Sequence, residues 1–139
     1  MNYTLKNYDA LLRVVRECDD YWADVGILDA IAFLEAFSDE EWIMLQDLLA
    51  ERPRLWQRSC AETLSEVTNQ TRSFDLLLRL MQEGVDEVTI AALDSINALA
   101  CYGLDISGQA TQLRSAIAKA RSNAGAAVSR ILDTLSRQL

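Results

Sequence analysis

Three sets of side chains in this sequence are capable of chemistry: clustered carboxylates, three cysteines and a short run of arginines. Asp19-Asp20, Asp39-Glu40-Glu41 and Asp86-Glu87 are the residue type that acid–base or glycosidic chemistry requires. Such chemistry needs two carboxyls at a fixed separation with different proton affinities. Each of these clusters instead falls at an expected helix end or turn, where capping and solvation account for it. Histidine is absent, so the commonest general base and the usual partner of a nucleophilic Ser or Cys are missing. Cys18, Cys60 and Cys101 are far apart, with no C-x-x-C pair. They are expected to be reduced thiols packed as small hydrophobes, and the usual zinc ligand sets are not available. No phosphate loop, dinucleotide fingerprint, nucleophile elbow or EF-hand spacing occurs. No catalytic residue, cofactor or metal is therefore expected, and the chain is read as a non-enzyme.

Recognition is the remaining class. Arg52, Arg54 and Arg58 surround Trp56 and form the one basic cluster; pairing with neighbouring acids is expected rather than an anion site. Tyr21-Trp22 is bounded by Asp19, Asp20 and Asp24. An aromatic pair among acids is a candidate anchor for a basic protein. Trp22 itself is favoured to close the core between the first two helices, and Trp42 and Trp56 are expected in the core.

The charge is unevenly placed. The net charge is −8, and residues 1–70 carry 14 acids and six bases while residues 71–139 carry seven of each. Between residues 9 and 51 the count is 12 acids against Arg13 and Arg16. Such a field repels nucleic acid and anionic membrane and attracts a basic partner. No apolar run approaches the roughly 18 residues of a membrane span. The first residues show no basic segment followed by an apolar one, so no signal peptide is expected and the cytoplasm is the expected compartment.

The elements that must position these residues are helical throughout. The 139 residues fit one domain, 1–139. About eight helices are expected. The first runs from Leu5 to Tyr21, with Leu11, Leu12, Val15 and Cys18 on one face. Val25-Gly26 separates it from a second, Ile27 to Phe37. Ser38 to Glu41 forms a capping box for a third. Pro53 stands in the first turn of a fourth, which carries Trp56, Cys60, Ala61, Leu64 and Val67. Thr71-Arg72-Ser73 caps a fifth, Phe74 to Glu83, which Gly84 ends in a left-handed cap. A sixth runs from Glu87 to about Tyr102 and ends at Gly103. The last two cover about 109–121 and 124–138.

Ser38, Ser73 and Ser107 are evenly spaced, and a common apolar face recurs. Leu64, Leu99 and Leu135 occupy one position of it; Cys60, Ser95 and Ile131, and Ala61, Ile96 and Leu132, occupy two more. Leu34, Ile31 and Ala30 fit the frame more loosely. A helix-pair period of 30–40 residues signals an α-solenoid.

Residues 87–99 and 53–64 resemble the second helix of HEAT repeats, with a charged or Pro start followed by spaced Ala and Leu. The resemblance covers about residues 38–138. It implies an all-α fold, a short right-handed solenoid of about four antiparallel helix pairs. In HEAT-type stacks the second helices line the concave surface where partners bind. That nominates Asp29, Ser59 and Asp94 as one row of solvent-facing positions, and Glu62, Asn97 and Asp133 as another.

In size, acidity and lack of catalytic equipment the chain is similar to small acidic helical immunity proteins of bacterial contact-dependent inhibition and polymorphic toxin systems. That resemblance implies a cognate toxin, basic and of the nuclease type, occluded by an acidic surface. It implies no nucleic-acid or membrane partner, and a monomer or 1:1 heterodimer. The expected contact residues are Asp19, Asp20, Trp22, Asp24, Asp29, Glu62, Asp94 and Asn97. A general HEAT-type scaffold is the competing expectation.

Overall fold

The computed structural model describes residues 3–84 and 86–139. Among them there are eight α-helices and no strand. They are α1 (Tyr3–Arg13), α2 (Ile27–Glu35), α3 (Asp39–Leu48), α4 (Arg54–Thr63), α5 (Gln70–Glu83), α6 (Asp86–Cys101), α7 (Ala110–Arg121) and α8 (Ala126–Arg137).

Local signals set several ends. The Ser38 hydroxyl accepts from the Glu41 N–H at 3.2 Å and Glu41 accepts from the Ser38 N–H at 3.1 Å, so the expected capping box starts α3. The other oxygen of Glu41 accepts from the Leu5 N–H at 2.9 Å. One buried carboxylate thus satisfies free donors at the starts of both α1 and α3. Gly103 ends α6 at φ +105°. There the Leu104 N–H bonds to the Leu99 carbonyl and the Gly103 N–H to that of Ala100, both at 3.0 Å, the Schellman pattern.

Other boundaries differ from expectation. The first helix stops at Arg13 rather than Tyr21. Asp19 accepts from the N–H groups of Arg16 and Trp22, both at 3.1 Å. This local bonding competes with helical continuation and starts the next helical segment. Cys18 takes the left-handed conformation, φ 51°, and is exposed. Cys101 is exposed as well, so only Cys60 packs as a small hydrophobe. Val25-Gly26 does not break the chain; a wide π-helical turn, Trp22–Gly26, runs straight into α2. Gly26 makes room there, since a Cβ would stand 3.0 Å from the Trp22 ring.

Pro53 stands one position earlier than expected, at the N-cap of α4. α4 tightens into a single turn at Leu64–Glu66 before reaching Val67. α5 begins at Gln70, capped by Asn69 accepting from the Arg72 N–H at 3.2 Å, not at Thr71–Ser73. Ser73 is buried inside the helix, so the even spacing of Ser38, Ser73 and Ser107 does not mark equivalent starts. Gly84 is extended, φ −80° and ψ 162°, not left-handed.

One apolar core joins all eight helices. Leu34, Leu64, Leu99 and Leu135 are all buried. Contacts between successive even-numbered helices, or the residues that directly follow them, link positions at similar sequence separations. Glu35 Oε1 accepts from the Thr68 N–H, 33 residues on. The Ser95 hydroxyl donates to the Ala61 carbonyl across 34 residues. Gln138 reaches Cys101 across 37. Arg54 also meets Glu87, near the starts of both helices, so α4 and α6 lie side by side and run in the same direction; so do α6 and α8, where Ile131 neighbours Asp94 and Ala98 and Gln138 neighbours Cys101.

α4 lies centrally, between α1 and α2 on one side and α6 on the other. Its Trp56, Gln57, Ser59, Cys60, Ala61 and Thr63 are all buried. Ser59, expected at a solvent-facing position, is consequently fully buried. Tyr8, also in the core, bonds Thr63 at 2.9 Å, while its ring meets Phe37 and Trp56 edge-on.

Candidate functional site

Helical spacing lays Arg54, Arg58 and Glu62 along one face of α4, four residues apart. Glu87, Ile90, Ala91, Asp94 and Ala98 recur along one face of α6 in the same way. Because α4 and α6 run side by side, these faces meet. Between them is a groove of about 510 Å³, lined also by Ile27 at the start of α2 and Ile131 of α8. Ile27, Ile90, Ala91, Ala98 and Ile131 supply its apolar surface. Its charged lining is three carboxylates, Glu62, Glu87 and Asp94, against the single guanidinium of Arg58.

A ladder of ion pairs borders the groove. Arg54 bonds Glu87 and reaches Glu17 at 3.1 Å. Arg58 reaches the same Glu17 at 3.2 Å and Glu62 at 3.5 Å. The bonds from Arg54 and then Arg58 hold the Glu17 carboxyl below the usual range. The arginines thus pair with acids, as expected. Arg52 does so too, with Asp9 at 2.8 Å.

Glu62 and Asp94 behave differently. Burial pushes the Glu62 carboxyl up; Trp22 and Arg58 oppose that shift, and the charge of Asp94 adds to it. Burial likewise pushes Asp94 up. Among the described residues Asp94 has no ion-pair partner. Half-buried Glu62, held by Arg58 on one side, and exposed Asp94 repel one another, so a cation placed between them would be attracted by both. Trp22 is buried and its indole N–H, on the Glu62 side, closes no hydrogen bond among the described residues.

A second groove, about 690 Å³, lies between the end of α5, the start of α6 and α7, and is lined by Gln82, Asp86, Gln112, Lys119 and Asn123 among others. It shares Glu87 and Ile90 with the first, so the two are neighbours on α6.

No family model, curated protein or solved structure matches this chain. Among the described residues no group of His, Cys, Asp or Glu is arranged to hold a metal ion. No helix there is long and apolar enough to cross a membrane.

The residues nominated from sequence fall into three groups. Glu62 and Asp94 meet in the groove, with Trp22 behind Glu62. Asp20, Asp24 and Asp29 are exposed along the helical segment that begins at Asp20. Asp19 is a cap, and half-buried Asn97 lies one turn beyond Asp94 on α6. Glu17, Arg58 and Glu87 were missed as site residues. The four-residue spacing of Arg54, Arg58 and Glu62 was a legible signal for a charged face, but its facing partner on α6 was not legible.

Proposed function

We propose that this chain is an immunity protein, which binds a basic, nuclease-type cognate toxin in the cytoplasm and covers its active site or a surface the toxin needs. One observation carries this reading. Glu62 and Asp94, from two helices, line one groove in which their charges repel, Glu62 is half-buried and, among the described residues, Asp94 has no ion-pair partner. A lysine or arginine side chain of a partner would relieve both costs at once. The carboxylate-rich lining disfavours nucleic acid and anionic lipid as occupants.

We further propose that the helices form a short HEAT-like solenoid. The burial of Leu34, Leu64, Leu99 and Leu135 supports this. So do the contacts at separations of 33, 34 and 37 residues between successive even-numbered helices or the residues that directly follow them, as expected where each pair stacks on its neighbours.

The test is co-expression with the product of the adjacent gene, read as cell survival and as a 1:1 complex on co-purification. Glu62→Gln and Asp94→Asn should each weaken that complex by about tenfold or more. The wild-type complex should loosen steeply with salt. Both carboxyls are raised in the folded chain, so their contribution to stability is greatest below the unfolded-state pKa and falls as pH rises through the folded value. The two variants should therefore unfold at an unchanged or higher temperature near neutral pH. A complex indifferent to both substitutions, or cells left unprotected, would refute the proposal.

A further inference from the structure

Tyr21, Val25 and Leu28 are large apolar side chains left 60%, 45% and 63% exposed on one continuous helical segment. Tyr21 and Val25 are about one wide π-helical turn apart and Leu28 follows within the next α-helical turn, so the three lie toward one side of it. The opposite side buries Trp22, Ala30 and Leu34 in the core. Asp20, Asp24 and Asp29 flank the stripe, are exposed, and make no ion pair among the described residues. The Tyr21 ring lies over the backbone at Gly26, 3.6 Å from where a Cβ there would stand. An apolar stripe on a supported backbone with unpaired charge on its borders has the composition of an interface, apolar at the centre and polar at the rim.

We propose that this stripe docks an amphipathic helix of the partner protein, one whose apolar face is bordered by Lys or Arg. The charge selects that occupant. A second copy of this chain would set Asp20, Asp24 and Asp29 against their own equivalents, and an anionic membrane would meet the same repulsion. A basic amphipathic helix covers the apolar side chains and pairs the three carboxylates in one act. Ile27, beside Leu28 in the chain, lines the groove of Glu62 and Asp94, so a partner on the stripe has that groove within reach. The inference rests on the reading of the chain as a binder of a basic protein, and the probe below needs no toxin.

The probe is a synthetic helical peptide of Leu and Lys with all its leucines on one face, titrated by fluorescence anisotropy. A peptide of the same composition in scrambled order, lacking an apolar face, is the control. The wild-type chain should bind the amphipathic peptide at least about tenfold more tightly than the control. Leu28→Ser and Val25→Ser should each weaken binding about fivefold, with circular dichroism unchanged. Glu83→Gln, at an exposed carboxylate of α5 outside both grooves, should leave it within about twofold, which separates the stripe from general charge attraction. Asp20→Asn with Asp24→Asn should flatten the salt dependence. Equal binding of the two peptides, or indifference to Leu28→Ser and Val25→Ser alike, would overturn the proposal. So would self-association of the wild-type chain that Leu28→Ser abolishes, because a second copy would then own the stripe.

Discussion

Asp9 of α1 and Arg52, just before α4, meet in a two-bond fork, Nε to Oδ1 at 2.8 Å and Nη2 to Oδ2 at 2.9 Å. The Trp56 indole N–H donates to the same Oδ1 at 2.9 Å and Arg13 reaches Oδ2 at 3.1 Å. Four charged or polar donors thus converge on one buried carboxylate. The fork ties α1 to the start of α4, and so helps aim the face that carries Arg54, Arg58 and Glu62.

Asp9→Asn should cost about 3 kcal/mol of stability, because it strands the largely buried Arg52 guanidinium without its counter-charge. Thermal unfolding is the measurement, with a drop of roughly 10 °C expected. The wild-type chain should also lose stability in acid. Burial acts to raise the Asp9 carboxyl, but the bonds from Arg52 and Arg13 outweigh it and hold it below its ordinary value. A carboxyl lowered in the folded state contributes stability above the unfolded-state pKa, about 3.9. That contribution disappears as pH falls through the folded value. The acid-dependent loss should be smaller in Asp9→Asn.

Gly84→Ala should destabilise the chain by about 1–3 kcal/mol. A Cβ there would lie 2.5 Å from Val88 Cγ1 and 2.7 Å from the Leu80 carbonyl oxygen. Val88 is fully buried and has nowhere to retreat. Gly125 provides the contrast: a Cβ there meets nothing within 4 Å, and it is the N-cap of α8 without a side-chain cap. Gly125→Ser should leave stability unchanged or raise it by a few tenths of a kcal/mol. Unfolding free energies from denaturant titration should differ between the two variants by at least about 1 kcal/mol, with Gly84→Ala the less stable.

The thiols should separate by reactivity. Burial pushes the Cys60 thiol up to about 12, and it is fully enclosed. Cys18 and Cys101 are exposed. A thiol reagent at pH 8 should therefore modify two cysteines promptly and the third only on unfolding. Prompt loss of all three in native buffer would contradict the burial of Cys60.

Much of the fold was legible in residues a few positions apart. The Ser38 box, the Gly103 cap and the buried Leu34, Leu64, Leu99 and Leu135 are written in local order, because a cap or a helical face depends on neighbours within one or two turns. The same logic failed at residues 14–26, where Asp19 bonding two backbone N–H groups outweighed an apolar pattern that would have carried the first helix on. It failed again at α5, where Asn69 rather than Thr71–Ser73 supplies the cap.

The sequence by itself determined that the chain is helical, where several helices begin and end, and that its acids gather in the first half. Only the tertiary structure decided which of those acids are consumed inside the fold and which remain at the surface. Asp9 and Glu41 are buried and bonded, Glu17 is held by two arginines, and Glu62 and Asp94 share a groove. The physical reason is distance along the chain. Arg52 lies 43 residues from Asp9 and Glu41 lies 36 from Leu5. What covers a carboxylate is settled by the helix that packs across it, and nothing within a turn of that carboxylate records which helix it will be.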